Sequence, residues 1–307
     1  MNIRKYKRIR TALLAIIAGI LAIVSLIITF SDGKNSPTWS DVSKKLGYSP
    51  YTDGASDFIR FYDVGQGDCA LIYSNGKTAL IDTGDTETAY DICNTLKKDG
   101  IKTIDVLLIT HYHTDHTGGL SDVVERFTVN NLILPEMSKT KEKIDYAKYV
   151  RQSVLAEDGE VFSAVKGMHF NVGEFEITVI GYYPELDDEN DKSIFVMAEI
   201  NGKKFLFTGD AGNAAEKKLM ADSINFDCDV LKVGHHGSGT STSKNFLLKA
   251  TPEYAVISVG LGNQYSHPHE QALSRLETAG AKVYRTDLDG TLTFLVEGEN
   301  IRIETEK

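Results

Sequence analysis

The chain has 307 residues, 42% hydrophobic and 25% charged, which allows one large globular domain or two small ones. Residues 1–36 hold six Lys/Arg and one acid, which leaves 27 basic against 42 acidic residues, a balance of −15, for residues 37–307. A body this acidic lacks the broad basic face of a strong duplex-DNA binder, and three scattered cysteines, Cys69, Cys93 and Cys228, imply no disulfide framework.

At the start of the chain, Arg4, Lys5, Lys7, Arg8 and Arg10 precede an uncharged stretch over 11–30, the length of one helical span of a bilayer. A secretory signal peptide would have a shorter apolar region ending in small residues. Here the run ends Ile27-Ile28-Thr29-Phe30, and no cysteine follows that could carry a lipid. The sequence therefore predicts an uncleaved transmembrane anchor over 11–30. Basic residues before the span keep 1–10 in the cytoplasm and place the rest outside the cell membrane. Residues 31–56 are polar, with Gly, Ser and Pro, and read as a linker; 57–307 reads as the catalytic domain.

Segments 58–64, 69–74 and 78–82 read as a strand meander, with Asn75-Gly76 as its hairpin turn. Residues 87–98 set Ala89, Ile92, Cys93 and Leu96 at helical spacing, and 104–109 reads as a buried strand. A short helix to Phe127, a strand over 129–134 and a polar surface helix over 139–156 follow. Strands are predicted at 175–180, 193–200 and 203–208, the last two joined by Asn201-Gly202. After Asp210, helices alternate with strands at 230–233, 255–259, 282–285 and 291–296. No repeat or second extracellular domain shows. Cys69 and Cys228 lie in apolar runs as small core residues, and His169 reads as a surface histidine.

The chemistry concentrates in Thr110-His111-Tyr112-His113-Thr114-Asp115-His116-Thr117-Gly118-Gly119, a loop at the carboxyl end of a predicted strand. Imidazole nitrogen and carboxylate oxygen are the usual ligands of zinc and similar divalent ions. His111 and His113, two apart, can point the same way from an extended loop. Asp115 and His116 are adjacent, so they diverge and can serve a second ion. A merely solvated His-rich tract rarely sits between a strand and a Gly-Gly turn. Phe205-Leu206-Phe207-Thr208-Gly209-Asp210 repeats the design, and a carboxylate there could bridge two ions. Leu231-Lys232-Val233-Gly234-His235-His236-Gly237-Ser238 is a third strand ending in ligand-type residues.

These segments, with Asp63-Val64-Gly65-Gln66-Gly67-Asp68, Ile81-Asp82-Thr83-Gly84 and Asn263-Gln264-Tyr265-Ser266-His267-Pro268, occur in order. Together they resemble the metallo-β-lactamase superfamily, specifically the extracytoplasmic hydrolase domain of ComEC-type DNA-uptake proteins. The phosphorylcholine esterases that act on teichoic acids are similar. The resemblance covers roughly residues 57–296 and lacks the many membrane helices of a DNA-uptake channel. It implies an αββα four-layer sandwich, here preceded by one transmembrane helix, with a two-metal site at one edge.

Carried over residue by residue, the resemblance implies that His111 and His113 bind one ion. Asp115, His116 and one of His235 or His236, with His236 preferred, bind the other, and Asp210 bridges. Asp82 holds the loop from behind, since ligand histidines need partners that fix their tautomer. Asp63 and Asp68 either shape the Gly65-Gln66-Gly67 turn or act near the metals. Gly237 and Ser238 are candidates to contact a phosphate oxygen, His267 to hold the phosphate or protonate the leaving oxygen, and His269 to start a helix after Pro268. The wider superfamily places another histidine ahead of the strand that begins at Ser193; here Glu189-Asn190-Asp191-Lys192 stands in its place. Either an oxygen from Asn190 or Asp191 substitutes, which favours a harder ion such as manganese, or the first site is weak and fills only with substrate.

The expected activity is hydrolysis of a phosphodiester by a water that two divalent ions activate, with Asp115 or Asp210 orienting it or taking its proton. DNA or an oligonucleotide is the expected substrate. A cell-wall phosphodiester such as teichoic-acid phosphorylcholine is the alternative, and a surface module that binds without catalysis is the alternative of another class. No protein partner is indicated.

Overall fold

Two Asn-Gly pairs set two-residue hairpin turns, Asn75-Gly76 and Asn201-Gly202. Asn75 and Gly76 have φ of 50° and 77°, and Asn201 and Gly202 have 51° and 75°. Two successive left-handed residues make a turn whose twist matches that of the flanking strands, and Asn and Gly adopt it at least cost. The computed structural model describes residues 57–136 and 141–307. The predicted anchor, its basic flank and the linker lie outside them. Among the described residues no helix is long and apolar enough to cross a membrane.

The first sheet begins with β1 (Asp57–Phe61), β2 (Ala70–Ser74) and β3 (Lys77–Ile81), an antiparallel meander. Helix α1 (Ala89–Lys98) then carries the chain to β4 (Thr103–Leu108), parallel to β3. The His-rich metal loop predicted over 110–119, which contains α2 (Thr114–Thr117), and then α3 (Leu120–Arg126) lead to β5 (Thr128–Leu134). Next, α4 (Lys141–Ala156) leads to β6 (Glu160–Ser163), and both these strands run parallel to β4. The second sheet opens with the antiparallel β7 (His169–Val172), β8 (Phe175–Gly181), β9 (Phe195–Ile200) and β10 (Lys203–Phe207). It continues in parallel through β11 (Val230–Lys232), β12 (Tyr254–Ile257) and β13 (Lys282–Arg285), linked by α5 (Asn213–Ala221), α6 (Lys244–Ala250) and α7 (Glu270–Thr278). After the short α8 (Thr286–Asp289), β14 (Leu292–Glu297) pairs with β1 and β15 (Asn300–Thr305) closes the first sheet.

Alternation along the strands builds the layers. Phe205 and Phe207 of β10 point into the space between the sheets, against Ile59 and Phe61 of β1 and Phe294 of β14. Leu206 points the other way, onto Leu219 of α5 and Phe246 of α6. Each such side chain contributes about 1.5–3 kcal/mol on burial. The architecture is the mixed α/β sandwich expected, and α4 is the polar surface helix expected. Its residues Ala147, Val150 and Val154 are buried, so it is a covering helix of the first sheet. Strands β6, β7 and β15 were not legible as strands. Each lies at or beside a sheet edge and carries exposed polar side chains, so no buried apolar run marks it. Cys69, Cys93 and Cys228 are buried free thiols, and His169 is exposed at the start of β7.

Two residues clamp the loop after the His235-His236 turn. Buried Glu216 of α5 accepts from the amides of Thr242 and Ser243. Arg275 of α7 donates to the carbonyls of Gly239, Ser241 and Thr242. Burial pushes the Glu216 carboxyl up to about 7 despite those donors. A raised acid favours the folded state while protonated, so its contribution is full below pH 4.5 and is lost as pH rises through about 7. In urea unfolding, Glu216→Gln should therefore flatten the fall in stability between pH 5 and 8 by roughly 2–4 kcal/mol relative to wild type.

Candidate metal centre

The carboxyl ends of β3, β4, β10 and β11 converge at one edge of the sandwich, where the Ile194 amide donates to the Thr110 carbonyl at 3.1 Å and joins the two sheets. Asp82, the first residue after β3, accepts from the amide and hydroxyl of Thr110 at 2.8 and 2.7 Å, and its Oδ2 lies 2.8 Å from His116 Nδ1. One buried carboxylate thus ties both ends of the metal loop. Gly118 is required by close approach, because a Cβ there would come 2.1 Å from the Thr86 amide nitrogen. Asp210 follows Gly209 (φ +49°), and its amide donates to Ser193 Oγ at 3.0 Å. His235 and His236 both have left-handed backbones, with φ of 50° and 53°, at a cost of about 1–3 kcal/mol each.

Among the described residues three groups of ligand-type atoms result, each within 4.8 Å: Asp115, His116, Asp210 and His236; His111, His113 and Asp210; and Asp68, Asp82 and His116. Asp210 belongs to the first two. Its Oδ1 is 3.2 Å from His116 Nε2, and its Oδ2 is 3.6 Å from His236 Nε2 and 3.9 Å from His111 Nε2. His236 Nε2 is also 3.1 Å from Asp115 Oδ2, and His111 Nε2 is 3.1 Å from His113 Nδ1. His116 and His236 are each backed on Nδ1, by Asp82 and by the Ser258 carbonyl (3.0 Å), which leaves Nε2 for a cation.

The donor set fits divalent ions. Asp210 Oδ1 and His116 Nε2 are buried with no hydrogen-bond partner among the described residues, a costly arrangement that a cation between them would relieve. The electrostatics agree. Burial opposes charge on His116 and His236, but Asp210 and the neighbouring carboxylates outweigh it, holding His116 well above its usual value and His236 at about 10. Burial, then His116, holds His111 well below. A divalent ion would take the place of the protons on His116 and His236.

The other predicted residues are placed as follows. His235 is about a quarter exposed, lines the cleft and stands 3.7 Å from Asp210 Oδ2. Asn190 lines the same cleft with an unpartnered buried Oδ1, while Asp191 Oδ1 accepts from the amides of Gly212 and Ala215 and so caps α5. Asp68 is buried behind His236, 3.4 Å from its Nδ1. Asp63 accepts from the Gly65 amide and pairs with Lys307 at 3.0 Å, so it shapes its turn away from the cluster. The structure does not bring Ser238 to the cleft: its hydroxyl pairs with Thr240 Oγ1 at 3.0 Å. Gly237 packs on Pro268, where a Cβ would come 2.6 Å from that ring. His269 occupies the N-cap position of α7. His267 lines the cleft, its ring stacked with Tyr265 at 5.6 Å and with His236 at 6.3 Å. Burial and the neighbouring histidines lower it to about 4. The cleft encloses about 770 Å³. Sequence reasoning missed Ser193, Ser258 and Lys232, none of which carries a local signal.

A family model described as the metallo-beta-lactamase superfamily matches residues 62–260. ComE operon protein 3 of Bacillus subtilis is 30% identical over 267 residues, covering 79% of this chain and 33% of that protein. Competence protein ComA of Neisseria gonorrhoeae is 32% identical over 238 residues, covering 77% and 32% respectively. The chain thus spans about a third of the length of these relatives. Among solved structures, CmlA, a diiron β-hydroxylase from Streptomyces venezuelae, superposes with a TM-score of 0.56 at 16% identity, covering 85% of this chain and 60% of that one. That likeness concerns the fold alone.

Because protons compete with the ions at His116 and His236, manganese or zinc affinity should rise with pH between 6 and 9, by on the order of one log unit per pH unit for each proton displaced. Titration of the stripped protein against a chelating indicator measures it. An affinity that does not change with pH would contradict the assignment of these two nitrogens.

Proposed function

The chain belongs to the metallo-β-lactamase superfamily, and from that premise we propose that it is a metal-dependent phosphodiesterase acting on DNA or oligonucleotides. The observation that carries this reading is the pair of ligand groups sharing Asp210 at the floor of an open cleft. Two divalent ions there, zinc or manganese, would lower the pKa of a shared water from about 15.7 towards ~7 and draw charge from the oxygens of the scissile phosphodiester. His111 and His113 would hold one ion, with Asn190, which lines the same cleft, as the candidate oxygen ligand. Asp115, His116 and His236 would hold the other. Asp115, a quarter exposed to the cleft, orients the attacking water and takes its proton. His267, kept neutral by its surroundings, donates a hydrogen bond to a phosphate oxygen.

DNA is preferred because the resemblance to ComEC-type proteins covers nearly the whole domain. The −15 balance of residues 37–307 favours the second reading, a cell-wall phosphodiester such as teichoic-acid phosphorylcholine. We place the domain outside the membrane, on a single N-terminal span with a cytoplasmic amino terminus. The support is the uncharged stretch over 11–30 and the basic residues ahead of it.

The full-length protein, stripped of metal and then restored with manganese or zinc, is to be assayed on bis-p-nitrophenyl phosphate, single-stranded DNA and p-nitrophenyl phosphorylcholine. Metal-dependent cleavage of DNA is the expected result; cleavage of the phosphorylcholine ester alone would move the protein to the cell wall. Asp210→Ala and His116→Ala should each lower kcat/KM by about a thousandfold or more, with the far-ultraviolet circular dichroism unchanged. An active Asp210→Ala protein would sink the two-metal mechanism.

His267→Ala tests a separate role. If His267 binds a phosphate oxygen, kcat/KM falls about 10²-fold alike for p-nitrophenyl and alkyl leaving groups. A loss confined to the poorer leaving group would make it the proton donor instead.

A further inference from the structure

Lys232, the last residue of β11, has no part in the roles assigned above. It is 3% exposed, its Nζ lies 2.8 Å from Asp68 Oδ2, and it donates to the Val233 carbonyl at 3.1 Å. A buried lysine retains its charge only when paired, and here the pair sits directly behind the metal cluster. The other oxygen of Asp68 is 3.4 Å from His236 Nδ1 and makes no hydrogen bond among the described residues. A small void of about 10 Å³, lined by Lys232, Asp68, Asp82, Thr110 and Ser258, sets the pair beside the rear carboxylate of His116 as well.

We propose that the Lys232–Asp68 pair positions His236 as a ligand, a role that rests on the two-metal reading. Lys232 pins one carboxylate oxygen, so the other is fixed behind His236 Nδ1 together with the Ser258 carbonyl. The Ser258 carbonyl accepts at Nδ1 and the Asp68 carboxylate stands 3.4 Å from it, which favours the ring proton there and leaves the Nε2 lone pair facing Asp115 and Asp210. Asp82 is pinned in the corresponding way by Thr110, without a cation. The difference follows from charge: Lys232 cancels Asp68, so His236 is oriented without adding net negative charge to a cluster that already holds Asp82, Asp115 and Asp210. Lys232 is thus a positioning residue, acting through Asp68 and His236.

Full-length wild type, Lys232→Met and the double variant Asp68→Asn/Lys232→Met are to be stripped of metal, melted, and titrated with zinc against a chelating indicator. The single variant leaves Asp68 buried and unpaired, so the double variant, which removes both charges, carries the decision. Its metal-free form is expected to melt cooperatively, as wild type does. One of its two ions should bind roughly 10- to 100-fold more weakly, while the other keeps its wild-type affinity. Cobalt loaded into the weakened site should show an altered visible absorption. Wild-type affinity for both ions, or equal loss at both with a collapsed metal-free melt, overturns the proposal and leaves the pair a role in folding alone. A wild type that takes up no divalent ion overturns the metal-centre reading itself, a result the same titration distinguishes.

Discussion

Four carboxylates gathered at one edge of the sandwich, Asp68, Asp82, Asp115 and Asp210, impose the constraint from which the rest of the site follows. Three of them are almost wholly buried. Two like charges 4 Å apart repel by about 4 kcal/mol at an effective dielectric constant of 20, and burial adds a desolvation cost for each. Such a cluster persists only with cations among it. Among the described residues Lys232 pairs with Asp68, and His116 and His236, held despite burial above their usual values by the carboxylates, take up protons. Asp210 Oδ1 and His116 Nε2, 3.2 Å apart and without hydrogen bonds, show where protein groups alone leave the arrangement incomplete. Strain points to the same edge, since His235 and His236 are held in consecutive left-handed conformations there.

The fold places these groups by the directions of its strands. In each sheet a meander of antiparallel strands turns into a parallel run, β3–β4–β5–β6 in one and β10–β11–β12–β13 in the other. Parallel strands joined by helices end at the same side, so the loops after β3, β4, β10 and β11 share one edge. The clamp of Glu216 and Arg275 then belongs to the site as well as to the fold, because it fixes the loop that follows the His235-His236 turn.

What could be read in the sequence was whatever is contiguous. The metal loop announces itself because four ligand-type residues follow one buried strand within six positions, from His111 to His116. Asp210 was legible by its strand–glycine–carboxylate pattern. Asn190 and Asp191 were not separable, because adjacent residues in a 3₁₀ turn diverge; only the structure shows that Asp191 caps α5 while Asn190 faces the cleft. Lys232 was hidden for a different reason. Within Val230-Leu231-Lys232-Val233 a single lysine reads as the solvent-facing member of a strand, and its partner Asp68 lies in a distant motif. The buried face of α4 was masked likewise by its many charged residues, although Ala147, Val150 and Val154 have helical spacing.

Charge also bears on how a phosphodiester would be recognised. On the proposed reading, two divalent ions bring four positive charges to a site where Lys232 already offsets Asp68, leaving Asp82, Asp115 and Asp210 to be balanced. The loaded centre is then locally cationic within a body that is strongly acidic. Screening confines that attraction to about 8 Å at physiological ionic strength. Beyond that distance the neighbouring phosphates of a long polyanion meet acidic groups such as Asp85 and Glu87, which line the cleft wall. On the proposed reading the ions would therefore recognise one phosphodiester at a time. The protein's net charge opposes threading of a duplex and favours a strand end, a short oligonucleotide or an isolated phosphodiester in the cleft.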